Sequence, residues 1–389
     1  MRLAVFCPYL PAPADSGGRI RITRLLSRVA EAHELCLFAK ANRGEALAAE
    51  ACPELEMFAE RTVAGGQLEL SARLREPERV ISGAPQRLGD AVLAAHARHP
   101  FDGAIVEHAH AGRFVRLLGV PFVLDEHNIE SQFLAAKLRA RGTPRLYARH
   151  EVARLARFEG ALWQAARRVV SVSEDEARVI EARCRVHPRV IPNGVSFDGF
   201  DACTGRQAAT IVFVGLMDHP PNVTAALELA HEILPRVRAR VPNARLVLCG
   251  KNPSPQVRGL ASSHVEVTGS VASVAPYWSQ ATVFTNALRD GAGTSLKVLE
   301  ALAAGTPMVS TAEGVRGFAD LNAGEHYLAA DTHAELAERT ADVIERPGDF
   351  QDMVAAGKAY ARQLDWGRLA EQYLEVVEEG LARSHHQGA

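Results

Sequence analysis

The chain of 389 residues is short of the features that mark a disulfide scaffold, a metal site, a membrane span or a nucleic-acid binder. Its six cysteines (Cys7, Cys36, Cys52, Cys184, Cys203 and Cys249) are widely separated, with no C-x-x-C pair and no His/Cys ligand spacing. They read as small buried apolar residues in a reducing compartment. A formal net charge of −2 excludes a global field that would draw the chain to nucleic acid. No apolar run approaches the roughly 18 residues of a spanning helix. The opening MRLAVFCPYLP is cut by Pro8 and Pro11 and has too brief an apolar core for a signal peptide, so a cytoplasmic location is expected. No G-x-G-x-x-G follows the first apolar run with an acid about 20 residues on, which weighs against a dinucleotide dehydrogenase.

What is present is a length and a 47% hydrophobic, 23% charged composition suited to two soluble domains. Short apolar runs alternate with helical stretches. Arg2 to Cys7 reads as a buried strand, followed by the loop Pro8 to Gly18 and a helix from about Arg19 to Ala30 with its apolar stripe on Ile22, Leu25, Leu26 and Val29. Arg21, Arg24 and Arg28 are expected on the solvated face of that helix. Leu35 to Ala39, the run ending at Glu107 and the run ending at Asp125 are further strands. The last two exit into Glu107-His-Ala-His110 and Asp125-Glu-His-Asn128, and in an open parallel sheet ligands bind beyond the C-terminal strand ends. A helical region from about Ile129 to Arg168 breaks at Gly142-Thr-Pro144, and Ser173-Glu-Asp-Glu176 caps the helix after the next strand. Asp198 to Arg206 reads as a linker. A second strand and helix series then runs through Ile211 to Gly215, Leu246 to Gly250, Val265 to Gly269, Thr282 to Thr285 and Met308 to Thr311, with a closing helix from about Trp366 to Leu381.

The most informative stretch is Asp290-Gly-Ala-Gly-Thr-Ser-Leu-Lys-Val-Leu-Glu300. A glycine loop feeding a helix start bares backbone N–H groups beside the positive end of the helix dipole, a setting that favours phosphate. Lys297 and Glu300, three apart, share a face. A cation in the first turn opposes the dipole at a cost of a few tenths to about 1 kcal/mol, which a bound anion would offset. The simpler alternative is a tight turn with Lys297 and Glu300 as a solvated ion pair.

The order of motifs (PYLPAPADSGGRIR, DEHNIE, VSVSEDE, VIPNGV, FVGLMDHPPN and GAGTSLKVLEALAAGTPMV) resembles the retaining glycosyltransferases of the GT-B fold, the large group that includes bacterial sugar transferases and glycogen synthases. That resemblance implies an α/β chain with two Rossmann-like doubly wound domains facing across a cleft. Residues 1–197 would bind the acceptor, 198–206 link, 207–365 bind the nucleotide sugar, and 366–389 form a helix returning to the first domain. By motif, Glu300 would take the ribose hydroxyls and Gly293, Thr294, Ser295 and Lys297 would cradle the diphosphate, with Asp290, Gly291 and Ala292 completing the nucleotide-sugar site. Gly17, Gly18, Gly215 and Gly250 would permit close approach to the donor, and Thr268, Gly269 and Val271 would line the base. His110 would stand near the reacting carbon, with His127 as second candidate; His108, Glu126, His127 and Asn128 would face the acceptor. Catalytic weight falls on His110, Lys297 and Glu300.

Two departures from the family pattern stand out. Ala292 occupies the place of the first acid of an E-x7-E pair, with Asp290 as a displaced substitute, and Leu216 to His219 replace the usual Arg and Lys after the FVG strand. The implied reaction is metal-independent transfer of a sugar, with retention, from a nucleoside diphosphate sugar to the hydroxyl of a saccharide, lipid-linked glycan or small molecule, with no cofactor. A nucleotide-sugar epimerase or hydrolase of the same fold, or a non-catalytic nucleotide- or glycan-binding subunit, are the alternatives. No nucleic-acid partner is expected. The basic, amphipathic stretch Phe133 to Arg157 suggests weak peripheral membrane contact, against the simpler reading of a solvated helix pair.

Overall fold

Short runs rich in Val, Leu, Ile and Phe, buried on both faces, are the mark of parallel strands covered by helices. In the computed structural model, which describes every residue except 42–43, 46–51, 66–71, 73–75, 141, 201–208, 291–293, 319 and 383–389, such runs build two sheets. The chain divides into two compact units, Met1–Pro192 with Gly367–Ala389, and Asn193–Trp366. The expected linker at 198–206 overlaps residues 201–208, outside the described residues.

The first unit holds β1 (Arg2–Cys7), β2 (Glu34–Lys40), β3 (Phe58–Ala64), β4 (Gly103–Glu107), β5 (Phe122–Glu126), β6 (Arg168–Ser171) and β7 (Arg189–Val190). They form one seven-stranded sheet in the order β3-β2-β1-β4-β5-β6-β7, every pair parallel. The second unit holds β8 (Thr210–Val214), β9 (Arg245–Cys249), β10 (Val265–Gly269), β11 (Val283–Asn286), β12 (Met308–Ser310) and β13 (Leu328–Ala329). Their order is β10-β9-β8-β11-β12-β13, again all parallel. In each sheet the chain winds outward in one direction and then returns to build the other side, so the order reverses between β1 and β4 and between β8 and β11. Ligands of doubly wound sheets bind at that reversal, beyond the carboxyl ends of the strands.

Helix boundaries follow local chemistry. Ser173 Oγ accepts from Glu176 N at 3.3 Å at the start of Glu174–Cys184, and Thr332 with Glu335 forms a reciprocal capping box on His333–Glu345. The break at residues 142–144 separates Glu130–Ala140 from Arg145–Ala165. Leu296–Ala303 begins after Ser295 and ends before Gly305, whose φ of +65 suits glycine. Cys7, Cys36 and Cys249 are buried, Cys52 and Cys184 half-buried; Cys203 lies outside the described residues. Among the described residues, no helix is long and apolar enough to cross a membrane.

Candidate active site

In the second unit the strand reversal between β8 and β11 brings together residues distant in sequence. Lys297, in the first turn of Leu296–Ala303, donates from Nζ to Asn222 Oδ1 at 2.7 Å and lies 4.5 Å over the ring of Phe213, the fourth residue of β8. Desolvation lowers its pKa to about 7, with Glu300 pulling the other way. Glu300 Oε2 accepts from the indole N–H of buried Trp278 at 3.2 Å, and burial raises its pKa although that bond and Lys297 counter it. Lys297 and Glu300 share the helix face, yet each bonds a neutral partner from elsewhere in the unit.

The glycines around them are required by space. A Cβ on Gly215 would lie 2.8 Å from Asn222 Nδ2 and 3.2 Å from Lys297 Nζ; one on Gly250, whose φ is +151, would lie 1.7 Å from Gly215 O. The ends of β8 and β9 thus touch backbone to backbone. Gly250 N also donates to Thr268 Oγ1 at 3.2 Å, and Thr268 Oγ1 donates to Gly269 O at 2.8 Å. Half-buried Val271 packs against the core below them. Thr294 Oγ1 accepts from Asn193 Nδ2 at 2.7 Å, which ties the N-G-V motif to the loop before the helix; Ser295 stands at the helix N-cap and Asp290 is exposed. Gly291, Ala292 and Gly293 lie outside the described residues. Sequence reasoning missed Asn222 and Asn193. The motifs HPPN and IPNGV were visible, but nothing in their spacing points to Lys297 or Thr294.

In the first unit the exits of β1, β4 and β5 converge on a buried polar cluster. Arg21 makes a bidentate pair with Asp125, Nε to Oδ2 at 2.9 Å and Nη2 to Oδ1 at 2.8 Å, and donates to the carbonyl of Ile191 at 2.9 Å. Arg21 is 1% exposed, which corrects its expected place on the solvated face. Four residues before Leu25 and eight before Val29, it lies on the edge of the apolar stripe, and the carboxylate is what allows its burial. His127 Nε2 lies 2.8 Å from Glu107 Oε2 and 3.5 Å from Asp125 Oδ2. Burial would lower its pKa, but these two carboxylates raise it to about 9, so His127 is the charged imidazole. Burial and the neighbouring His127 lower His108 to about 4, and burial chiefly puts His110 well below the ordinary range; both are neutral.

His108, at a strained φ of +66, bonds Tyr9 through Nε2 at 3.1 Å. Its Nδ1 and that of His110 lie 3.1 and 3.6 Å from Glu130 Oε1, near enough to attract but without hydrogen-bond alignment. Glu126 is turned inward, its two oxygens accepting from Trp163 Nε1 at 2.7 Å and Ala109 N at 3.2 Å. Asn128 is half-buried at the start of the next helix. Gly17 and Gly18 open the helix Gly17–Ala32, and a Cβ on Gly18 would meet the Tyr9 hydroxyl at 2.2 Å. The triads His108, His110, Glu130 and Glu107, Asp125, His127 each keep donor atoms within 4.8 Å, the spacing a cation needs. Glu130 also pairs with Arg79 at 2.9 Å, Asp125 with Arg21, and the ring of His127 packs 4.0 Å from that of His108.

Two doubly wound parallel units, each with its polar side chains at the strand reversal, define a protein of the GT-B class. The chain belongs to the group 1 glycosyltransferases: residues 208–346 match the model described as Glycosyl transferases group 1, and residues 16–198 that of Glycosyltransferase Family 4. A phosphatidyl-myo-inositol mannosyltransferase of Mycobacterium tuberculosis is 32% identical over 205 residues, 48% of this chain and 53% of the relative. The chain thus spans about half the length of the curated relatives it matches. Among solved structures, sucrose-phosphate synthase of Thermosynechococcus elongatus shares the fold with a TM-score of 0.71 at 18% identity, over 96% of this chain and 97% of that one. HepE of Anabaena in complex with UDP-glucose does so with a TM-score of 0.66 at 16% identity, over 97% and 99%.

Proposed function

We propose that the protein transfers a sugar from a nucleoside diphosphate sugar to an acceptor hydroxyl, with retention and without a metal. The observation that carries this reading is Lys297, a helix-start cation held on Asn222 and Phe213 beside Gly215, with no carboxylate among the described residues bonded to its ammonium. Such a group neutralises a diphosphate and stabilises it as it departs. Glu300, anchored by Trp278, would take the ribose hydroxyls, and Thr268 to Val271 would line the base. The UDP-glucose bound by HepE supports a nucleotide-sugar donor, and the mannosyltransferase relative supports a polyol or lipid-linked acceptor. The departing phosphate would help accept the acceptor's proton, since retention then needs no carboxylate nucleophile. His110 is assigned to the reacting carbon by its motif; being neutral and buried, it would act as a hydrogen-bonding group.

A cytoplasmic location belongs to the same proposal. So does weak peripheral membrane contact through Leu146 and Tyr147, which are 83% and 48% exposed beside Arg145 and Arg149.

Thermal-shift screening against UDP, GDP, dTDP and ADP should single out one base, because a ligand at 100 times its Kd adds roughly 2.7 kcal/mol. Turnover of the matching donor should require an acceptor, and Lys297→Ala should lower it by about 100-fold or more with an unchanged melting temperature. Donor breakdown at the same rate without acceptor would indicate an epimerase or hydrolase instead, and nucleotide binding with no turnover a non-catalytic subunit.

A further inference from the structure

We infer that Asn222 is the positioning residue for Lys297: its side-chain amide fixes the ammonium where a diphosphate is received while leaving that charge unneutralised. The inference rests on the reading of Lys297 as the diphosphate-binding group. Asn222 is the third residue of the helix Pro220–Glu228 and only 9% exposed. Both ends of its amide are used: Oδ1 accepts from Lys297 Nζ at 2.7 Å, and Nδ2 donates to Leu216 O at 2.9 Å. The second bond sets which way the amide faces, because a flipped amide would point a donor at the ammonium and an acceptor at a carbonyl. The carbonyl of Leu216, in the loop after β8, therefore dictates that an acceptor meets the lysine.

The space is reserved for this contact. At Gly215 a Cβ would crowd Asn222 Nδ2 and Lys297 Nζ together, at 2.8 and 3.2 Å. Phe213 supplies a ring face 4.5 Å from the ammonium on the side toward the sheet. Both partners are uncharged, and the choice has a consequence. A carboxylate in place of Asn222 would hold Lys297 as strongly but cancel the charge that an incoming diphosphate needs. Among the described residues, the ionisable groups whose fields reach Lys297 are Glu300 on its own helix, which Trp278 engages, and His219 in the loop before Pro220. Lys297 thus sits on a neutral mount, next to a loop, Leu216 to His219, that provides no Arg or Lys.

The test uses the full chain, inorganic pyrophosphate as probe, and two variants, Asn222→Ala and the near-isosteric Asn222→Asp. Calorimetry should show pyrophosphate affinity reduced about tenfold or more in each, with melting temperatures close to wild type for Asn222→Asp. In parallel, the Lys297 Nζ resonance, followed by 15N NMR, should titrate at higher pH than wild type in Asn222→Asp and at lower pH in Asn222→Ala, a displacement that a purely structural asparagine would not cause. If Lys297→Ala abolishes pyrophosphate binding while both Asn222 variants bind and titrate like wild type, the positioning role is wrong and the phosphate site stands. If wild type binds neither pyrophosphate nor any nucleoside diphosphate, the phosphate site itself is wrong and the inference falls with it.

Discussion

His127 shows how one buried residue can set the pH behaviour of the first unit. Glu107 and Asp125 raise its pKa to about 9 in the folded protein, against about 6.5 for an unfolded chain. A raised pKa means that the folded state holds the proton more tightly. The stabilisation is complete below about pH 6.5 and is lost as pH rises through about 9, and its size is on the order of 3 kcal/mol. Urea unfolding at pH 6, 7.5 and 9 should show this loss in wild type and a flatter profile in His127→Gln; parallel profiles would mean that the imidazole is not the proton holder. The carboxylates and histidines at these strand exits were legible in the sequence, because polar residues ending a buried run have few places to go. Arg21 was misread because its charge was allowed to outweigh its position. A basic residue on the apolar edge of a helix is a request for a buried acid, and Asp125, 104 residues on, could be paired with it only once β1 and β5 lay in the same sheet.

Whole elements were easier to read than their neighbours in space. Strands buried on both faces were found within a residue or two of their observed bounds, whereas β3, with Glu60, Arg61 and Thr62 at the sheet edge, escaped notice because an edge strand need not be apolar. The pairing of Asn222 with Lys297 was beyond sequence reading, since it depends on β8 and β11 being adjacent across the point where strand order reverses. The same packing makes the β8 and β9 ends intolerant of side chains. At Gly250 both the positive φ and the 1.7 Å approach to Gly215 O oppose any Cβ, so Gly250→Ala should destabilise the second unit by about 3 kcal/mol or more. Gly269→Ala meets no atom within 4 Å and should incur only the cost of its positive φ, about 1 kcal/mol. Chemical denaturation of the two variants compares them directly, and equal losses would contradict the close approach of the two strand ends.

At the scale of the molecule, the chain leaves the first unit at Pro192 and returns to it at Gly367. The returning helix, Trp366–Leu381, buries Leu369, Tyr373, Val377 and Leu381. Its tail is fitted closely to the sheet: a Cβ on Gly103 would meet Leu381 at 2.8 Å, and one on Gly380 would meet Val123 at 2.7 Å. Tyr373 donates to Glu107 Oε1 at 3.3 Å, so the helix also completes the polar cluster that holds His127. Four large side chains at about 1.5–3 kcal/mol each amount to on the order of 10 kcal/mol, comparable with the whole stability of a typical domain. A chain ending at Trp366 should therefore lose the folded first unit, while a nucleoside diphosphate that shifts the melting of the intact protein should still shift that of the remaining second unit. Differential scanning calorimetry with and without the nucleotide separates the two transitions. If the shortened chain melts as the full one does, the helix is an appendage, and the burial of Tyr373 and Leu381 contributes far less than its area implies.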